Sequence, residues 1–247
     1  MNGLKLIISI GYNPLYIVLI LFLMATSGVV FPAEEPTAEV LQSEDLPLSR
    51  KDKKALLRDY NKTIRSKSKH AERHRGLVAK WGKKGHLSKL IQLYEADTRN
   101  SENIDSAQVA HLHYGLGYAY MSAGEGSSMD RDFSSDAITQ FEQAVQLDAN
   151  HLLAHYDLGR IYQRRKQYDQ ALDAFERCLI VNPNYYAAQQ KRGEVYLSQA
   201  DYQSALRAFE ATINMNPKSA RAHYGLGLAY WAQSNNNFAR EAFDTAL

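Results

Sequence analysis

Three histidines, His113, His155 and His223, head near-identical octets, HYGLGYAY, HYDLGRIY and HYGLGLAY. Imidazoles recurring in one register are a residue type from which a zinc site is built, so metal chemistry is the first to test. Geometry rejects it. Residues at one position of successive helical units are separated by packed helices whose axes lie about 8–10 Å apart, whereas zinc ligands all sit about 2 Å from one ion. The three histidines are read as packing residues, and no metal is expected. With one cysteine, Cys178, in 247 residues, the chain can form no internal disulfide, Cys-rich zinc site or CxxC pair. Cys178 reads as a small buried hydrophobe. No Ser–His–Asp arrangement, phosphate loop or paired-carboxylate motif stands out, so the chain is expected to be non-enzymatic and to need no cofactor.

The spacing of the octets says more than the histidines in them. Starting units at Ala110, Leu152, Tyr186 and Ala220 gives intervals of 42, 34 and 34 residues. Position 8 is then Gly117, Gly159, Gly193 and Gly227, and position 11 is Tyr120, Tyr162, Tyr196 and Tyr230. With eight residues of the first unit set aside as an insertion, position 20 reads Ala137, Ala171, Ala205 and Ala239, and position 24 reads Phe141, Phe175, Phe209 and Phe243. Small residues at 8 and 20 let two helices approach closely, and the aromatics fill the space between units. Such a pair has two apolar faces and buries its core only by stacking on neighbours.

These residues, with Leu158, Leu226 and the prolines Pro183 and Pro217 at position 32, resemble the tetratricopeptide repeat (TPR) family over residues 105–247. The chain departs from that family's pattern at position 4, where His113, His155, Gln189 and His223 replace Trp, and at Ala149, which replaces the first Pro. The resemblance implies an all-α, right-handed solenoid of about four helical hairpins. Asp105 and Gln108 are spaced as a capping box for its first helix. Proline at position 32 is expected to end each second helix. The insertion, in GEGSSMDRDFSSD, reads as a longer turn, because Gly124, Gly126 and the serines oppose a regular helix. His86 to Asp97, apolar on one face, reads as a degenerate helix stacked on the first unit.

In the TPR family a concave groove is lined by positions 2, 5, 9, 12 and 13 of each first helix. Carried over, these give Tyr114, Tyr118 and Met121, then Tyr156, Arg160, Gln163 and Arg164, then Gln190 and Glu194, and finally Arg221, Tyr224 and Trp231. Aromatic and arginine side chains are effective interface anchors, and the arginines suit a carboxylate or acidic stretch. The Lys and Asn of a carboxylate clamp and the asparagine ladder of nuclear sugar transferases are both missing from their expected positions. The implied function is a protein–protein adaptor that holds a peptide or helix. By likeness to bacterial envelope TPR proteins, it would act in assembling a complex.

Upstream, the formal net charge of +2 hides a segregation: residues 1–49 carry −4, residues 50–89 carry +12 and residues 90–247 carry −6. The basic cluster comprises Arg50, Lys51, Lys53, Lys54, Arg58, Lys62, Arg65, Lys67, Lys69, Arg73, Arg75, Lys80, Lys83 and Lys84. Leu56, Tyr60 and Ile64 recur at spacing four, so one or two short helices are expected there. His70, His74 and His86 among the lysines are read as surface residues. The cluster is either a solvated lead-in or a patch for an anionic membrane or cell-wall surface. Nucleic acid is not expected, for no nucleic-acid-binding fold surrounds it.

Residues 1–33 hold the apolar run LYIVLILFLM from Leu15 to Met24, followed by Ala25, Thr26, Ser27 and Gly28. This reads as a cleaved signal peptide or, counted to Phe31, as an uncleaved membrane anchor. Either exports the repeats beyond the cytoplasm. Residues 34–104 form a linker and basic lead-in, and 105–247 the solenoid. At the other end, Phe238, Ala242, Phe243 and Leu247 are expected to be partly exposed. The expectation is either a longer natural chain, with a catalytic domain that these repeats regulate, or an end that docks on a partner or a second copy.

Overall fold

The structure is a computed structural model that describes residues 48–65, 70–101, 104–126 and 133–247. These lie in one compact unit, Asp45–Leu247. Among the described residues there are eleven helices and no strand. They are α1 (Arg50–Ile64), α2 (His70–Gly82), α3 (Leu87–Arg99), α4 (Ser106–Gly126), α5 (Ser134–Leu147), α6 (Leu152–Arg164), α7 (Tyr168–Val181), α8 (Tyr186–Ser198), α9 (Tyr202–Met215), α10 (Ala220–Ala232) and α11 (Asn236–Ala246). The expected signal or anchor lies outside the described residues. No helix among the described residues is long and apolar enough to cross a membrane.

The four expected hairpins are α4/α5, α6/α7, α8/α9 and α10/α11, each stacked on the next. The position-24 rings are the wedges. Phe141, Phe175 and Phe209 are fully buried. A Cβ built on Gly117, Gly159, Gly193 or Gly227 would stand 2.5–2.8 Å from the phenylalanine of its own hairpin. Close approach, not backbone freedom, is what requires glycine there. The next hairpin repeats the demand: a Cβ on Gly225 would meet Phe209 at 2.4 Å. Position 20 is equally tight, with Ala137, Ala171 and Ala205 fully buried.

A fifth hairpin precedes these. With Ala71 as position 1, α2 and α3 place His74 at position 4, Trp81 at 11 and Tyr94 at 24, all buried. Gly85 falls at position 15, where Lys166, Ala200 and Ser234 also adopt positive φ. In each of these four turns the amide of position 16 donates to the carbonyl of position 11: His86 to Trp81, Gln167 to Tyr162, Asp201 to Tyr196 and Asn235 to Tyr230. Tyr94 also meets the following hairpin as Phe209 does, since a Cβ on Gly115 would lie 2.6 Å from its ring. Among the described residues the array therefore has five hairpins, one more than expected, with α1 packed on α2 and α4.

Three other expectations change. His74 and His86 are not surface residues; they are 1% and 8% exposed, held between helices by the stacking of the first hairpin. Gly124 and Gly126 do not break the helix, because α4 runs through Gly126 and is 21 residues long. A helix docked along its length outweighs the roughly 1 kcal/mol cost of each glycine. Finally, proline is not required to stop a second helix, since α5 ends ahead of Ala149 just as α7 and α9 end ahead of Pro183 and Pro217. α5, α7 and α9 end at Leu147, Val181 and Met215, each followed by an extended Asp148, Asn182 or Asn216. In the first two, that side chain accepts the amide two residues on, from Asn150 at 3.0 Å and Asn184 at 3.1 Å. The α4/α5 hairpin, with Ala149 in place of proline, keeps the same ending because Asp148 already makes the turn.

Candidate partner-binding site

The first helices α4, α6, α8 and α10 present the expected groove residues in two unlike halves. In the N-terminal half the side chains turn on each other. Tyr114 and Met121 are 0% and 1% exposed, so neither can meet a ligand. The Tyr114 hydroxyl donates to the Asp157 carboxylate at 3.0 Å and accepts from Arg75 Nε at 2.5 Å. Arg75 also pairs with Asp157 at 2.6 Å, and Arg160 does so at 3.1 Å. The Arg75 guanidinium lies 5.2 Å from the half-buried Tyr118 ring centroid. Arg75 thus belongs to this polar tie and not to the basic patch. Burial acts against its charge, and the adjacent Asp157 carboxylate outweighs that effect, raising its pKa.

Towards the C-terminus the face opens. Tyr156 is half-buried against Phe175 and Tyr185. Gln190 is buried, donating to Glu194 at 3.1 Å and accepting from Ser219 at 3.3 Å. Glu194 also takes Lys191 at 2.6 Å. Beyond this cluster Tyr224 is 54% and Trp231 65% exposed, seven residues apart on α10. Spacing of seven puts both on one side of a helix. Arg164 and Arg221 are exposed as well, and Gln163 is half-buried.

Two cavities lie elsewhere. One, of about 580 Å³, includes Glu142, His155, Leu158 and Tyr162. The other, of about 440 Å³, includes Glu210, His223, Leu226 and Tyr230, the same repeat positions two hairpins on. That recurrence marks them as junctions between hairpins. His155 and His223 help to close these junctions, bonding through Nε2 to the carbonyls of Ala149 at 2.9 Å and Pro217 at 3.0 Å. His113 bonds Gln140 at 2.8 Å. Among the described residues no cluster of metal-ligating side chains is arranged to hold an ion. Cys178 is buried, and burial pushes its thiol up to about 12.

The basic segment is a helical face. Arg50, Lys51, Lys53, Lys54, Arg58, Lys62 and Arg65 are exposed on α1 and its C-cap, opposite the buried Leu56, Tyr60 and Thr63. Arg73, Lys80, Lys83 and Lys84 of α2 and the following turn are exposed too. The acids Asp59 and Asp52 are already engaged, by Lys80 at 2.7 Å and Lys84 at 3.7 Å. Lys67 and Lys69 lie outside the described residues.

Tetratricopeptide-repeat family models match residues 153–185 and 191–247. Those residues carry tetratricopeptide repeats. Among solved structures, a crystal structure of MamA is 28% identical with a TM-score of 0.59, covering 68% of this chain and 91% of that one. MamA from Desulfovibrio magneticus RS-1, residue 41 to its end, is 20% identical with a TM-score of 0.58, covering 73% and 95%. YrrB, described as a TPR protein with an unusual peptide-binding site, is 22% identical with a TM-score of 0.55, covering 76% and 90%. The last two likenesses establish the fold alone. No curated protein matches the chain.

Sequence reasoning missed Asp157, the fully buried carboxylate on which the N-terminal half of the TPR face converges. It stands at position 6, where Gly115, Lys191 and Gly225 are the counterparts. A lone acid at a position otherwise glycine or lysine was the available signal.

Proposed function

We propose that this TPR array is a non-enzymatic scaffold that holds a peptide or helix of a partner protein against α8 and α10. The observation that carries the reading is the pair Tyr224 and Trp231, large aromatics left exposed where the equivalent Tyr114 and Met121 are buried. Tyr and Trp anchor interfaces by burying a large apolar body while keeping a polar tip. Arg221 nearby suits an acidic side chain or a terminal carboxylate. An exported or membrane-tethered location, with a role in assembling an envelope complex, belongs to the same proposal and rests on the apolar run from Leu15 to Met24. A second reading, an anionic-surface module, is favoured by the α1 face, whose cations are exposed and whose acids are already engaged.

Selection of peptides from a displayed library on the full chain tests the first reading. Replacing Tyr224 and Trp231 together by Ala is expected to weaken selected peptides at least about tenfold, as the loss of two anchors of 1 kcal/mol or more implies, with helical circular dichroism unchanged. Unweakened binding would sink the groove. Binding that falls steeply with salt and requires Lys51, Lys54 and Arg58 favours the surface reading.

A further inference from the structure

Four of the eight histidines meet where the first three hairpins join. His70 opens α2 and stacks on His111 of α4, with ring centroids 4.2 Å apart and planes at 10°. His111 Nδ1 lies 3.1 Å from Nε2 of His151, the N-cap of α6. His74, one turn on in α2, shares a 2.6 Å hydrogen bond with the buried Tyr94 hydroxyl of α3. We infer that His70, His74, His111 and His151 form an acid-sensitive latch, which holds the first hairpin and α1 on the array near neutral pH and releases them as pH falls.

The hydrogen bonds of His111 and His151 require uncharged rings. The Ala154 amide can only donate, so His151 Nδ1 accepts it, at 3.2 Å. The His151 proton then sits on Nε2 and is donated to His111 Nδ1, which must be bare. A proton added to His111 Nδ1 sets two N–H groups against each other. One added to His151 Nδ1 removes the α6 cap. Charging both His70 and His111 stacks two cations face to face. Water can deliver the protons, since a cavity of about 140 Å³ opens between Arg65, His70, His74, Asp97 and His111.

The charges facing the cluster come from every element around it. Arg73 of α2 opposes protonation of His70, and Arg65 at the end of α1 lines the same cavity. Asp148, before α6, favours it at His111 and His151, while Asp97 of α3 is engaged by the Tyr60 hydroxyl at 2.9 Å. Neighbouring His155 opposes it at His151. Burial leads, and it pushes His74 down to about 3 and His111 and His151 down to about 4, from 6.5. It lowers His70 too. For a base whose folded pKa is depressed, the open state binds more protons. Latch stability is therefore complete above pH 6.5 and is lost as pH falls from 6.5 towards 4. With three such sites, the opening constant rises by up to about 10³-fold per pH unit in that window.

This inference is independent of the α8–α10 groove, and Trp81 tests it. Trp81 is fully buried in α2, so the full chain carrying Trp231→Phe reports the first hairpin alone. A reversible red shift of Trp81 emission is expected between pH 6.5 and 4.5, while α6–α11 keep their helical circular dichroism. Its steepness in the chain with all histidines intact is expected to correspond to about two or more protons. Adding His111→Gln, which still accepts from His151 but cannot charge, is expected to cut the rise per pH unit by about tenfold. A slope of one proton or less, no transition above pH 4, or an unchanged profile in His111→Gln would overturn the latch.

Discussion

The junction between the first two hairpins and the junction between the last two have one geometry and opposite chemistry. In each, a position-24 ring sits over a position-6 glycine of the next hairpin, Tyr94 over Gly115 and Phe209 over Gly225. At the C-terminal junction the wedge packs on apolar neighbours, with Phe209 fully buried beside Ala222 and Ala229, and the Ser219–Gln190 hydrogen bond there involves no titratable group. At the N-terminal one the ring carries a hydroxyl bonded to a buried histidine, and the Arg75–Tyr114 hydrogen bond adds a second polar link. An apolar wedge is indifferent to pH, whereas buried polar partners hold only while each is satisfied and correctly protonated. The same repeat can thus serve as a fixed joint or as one that responds to conditions, through a few substitutions at its wedge.

The largest effect expected from this contrast is at the fixed joint. Phe209→Ala removes a fully buried ring that fills the space against both Gly193 and Gly225, and should cost about 3–5 kcal/mol. In a stack where hairpins contact only their neighbours, the damage should stay local. Hydrogen exchange read by mass spectrometry is expected to show protection lost in α8–α11, equally at pH 5.5 and 7.5, with α2–α4 unchanged. Loss spreading into α2–α4 would mean that the two junctions are one cooperative unit, and the comparison would fail.

How much of this was legible follows the same divide. The four C-terminal hairpins could be read because Gly at 8, Ala at 20 and Phe at 24 are each dictated by one close contact. The first hairpin was hidden because Val78 and Leu90 stand where glycine and alanine mark the others. Its Trp81 and Tyr94 are aromatic but not the expected types, and its strongest mark, the left-handed Gly85, is a backbone property that the other turns achieve with Lys166, Ala200 and Ser234. The groove was half legible. Which of the groove positions are covered depends on what the preceding hairpin extends across them. Arg75 covers Tyr114 and reaches Asp157, and nothing in the spacing of residues 39 and 82 apart announces that. The histidine cluster was illegible for the same reason, since its members come from three hairpins and only His70 and His151 share a repeat position.

Tyr94→Phe converts the responsive wedge to the chemistry of the fixed one. The ring and its packing on Gly115 are kept, while the partner of His74 Nδ1 is removed from a site that is 1% exposed. Leaving that nitrogen unsatisfied should cost about 1–2 kcal/mol at pH 7.5. Exchange protection in α2 and α3 is expected to fall by that amount and that in α8–α11 to stay. No loss in α2 would show that the hydroxyl contributes nothing to this junction.

The smallest effect separates burial from charge as the source of the difference. Lys80 pairs with Asp59 at 2.7 Å in the N-terminal half, but its side chain is 52% exposed. Asp59 also keeps the Trp81 Nε1 donor at 3.3 Å when the lysine is gone. Side-chain entropy and solvent screening cancel most of such a pair's attraction. Lys80→Ala is therefore expected to cost less than about 0.5 kcal/mol, and less still at high salt. Denaturant unfolding followed through Trp81 in a Trp231→Phe background reads it. A loss as large as that of Tyr94→Phe would place the responsiveness of the first hairpin in its surface charge, and not in the buried polar partners beneath it.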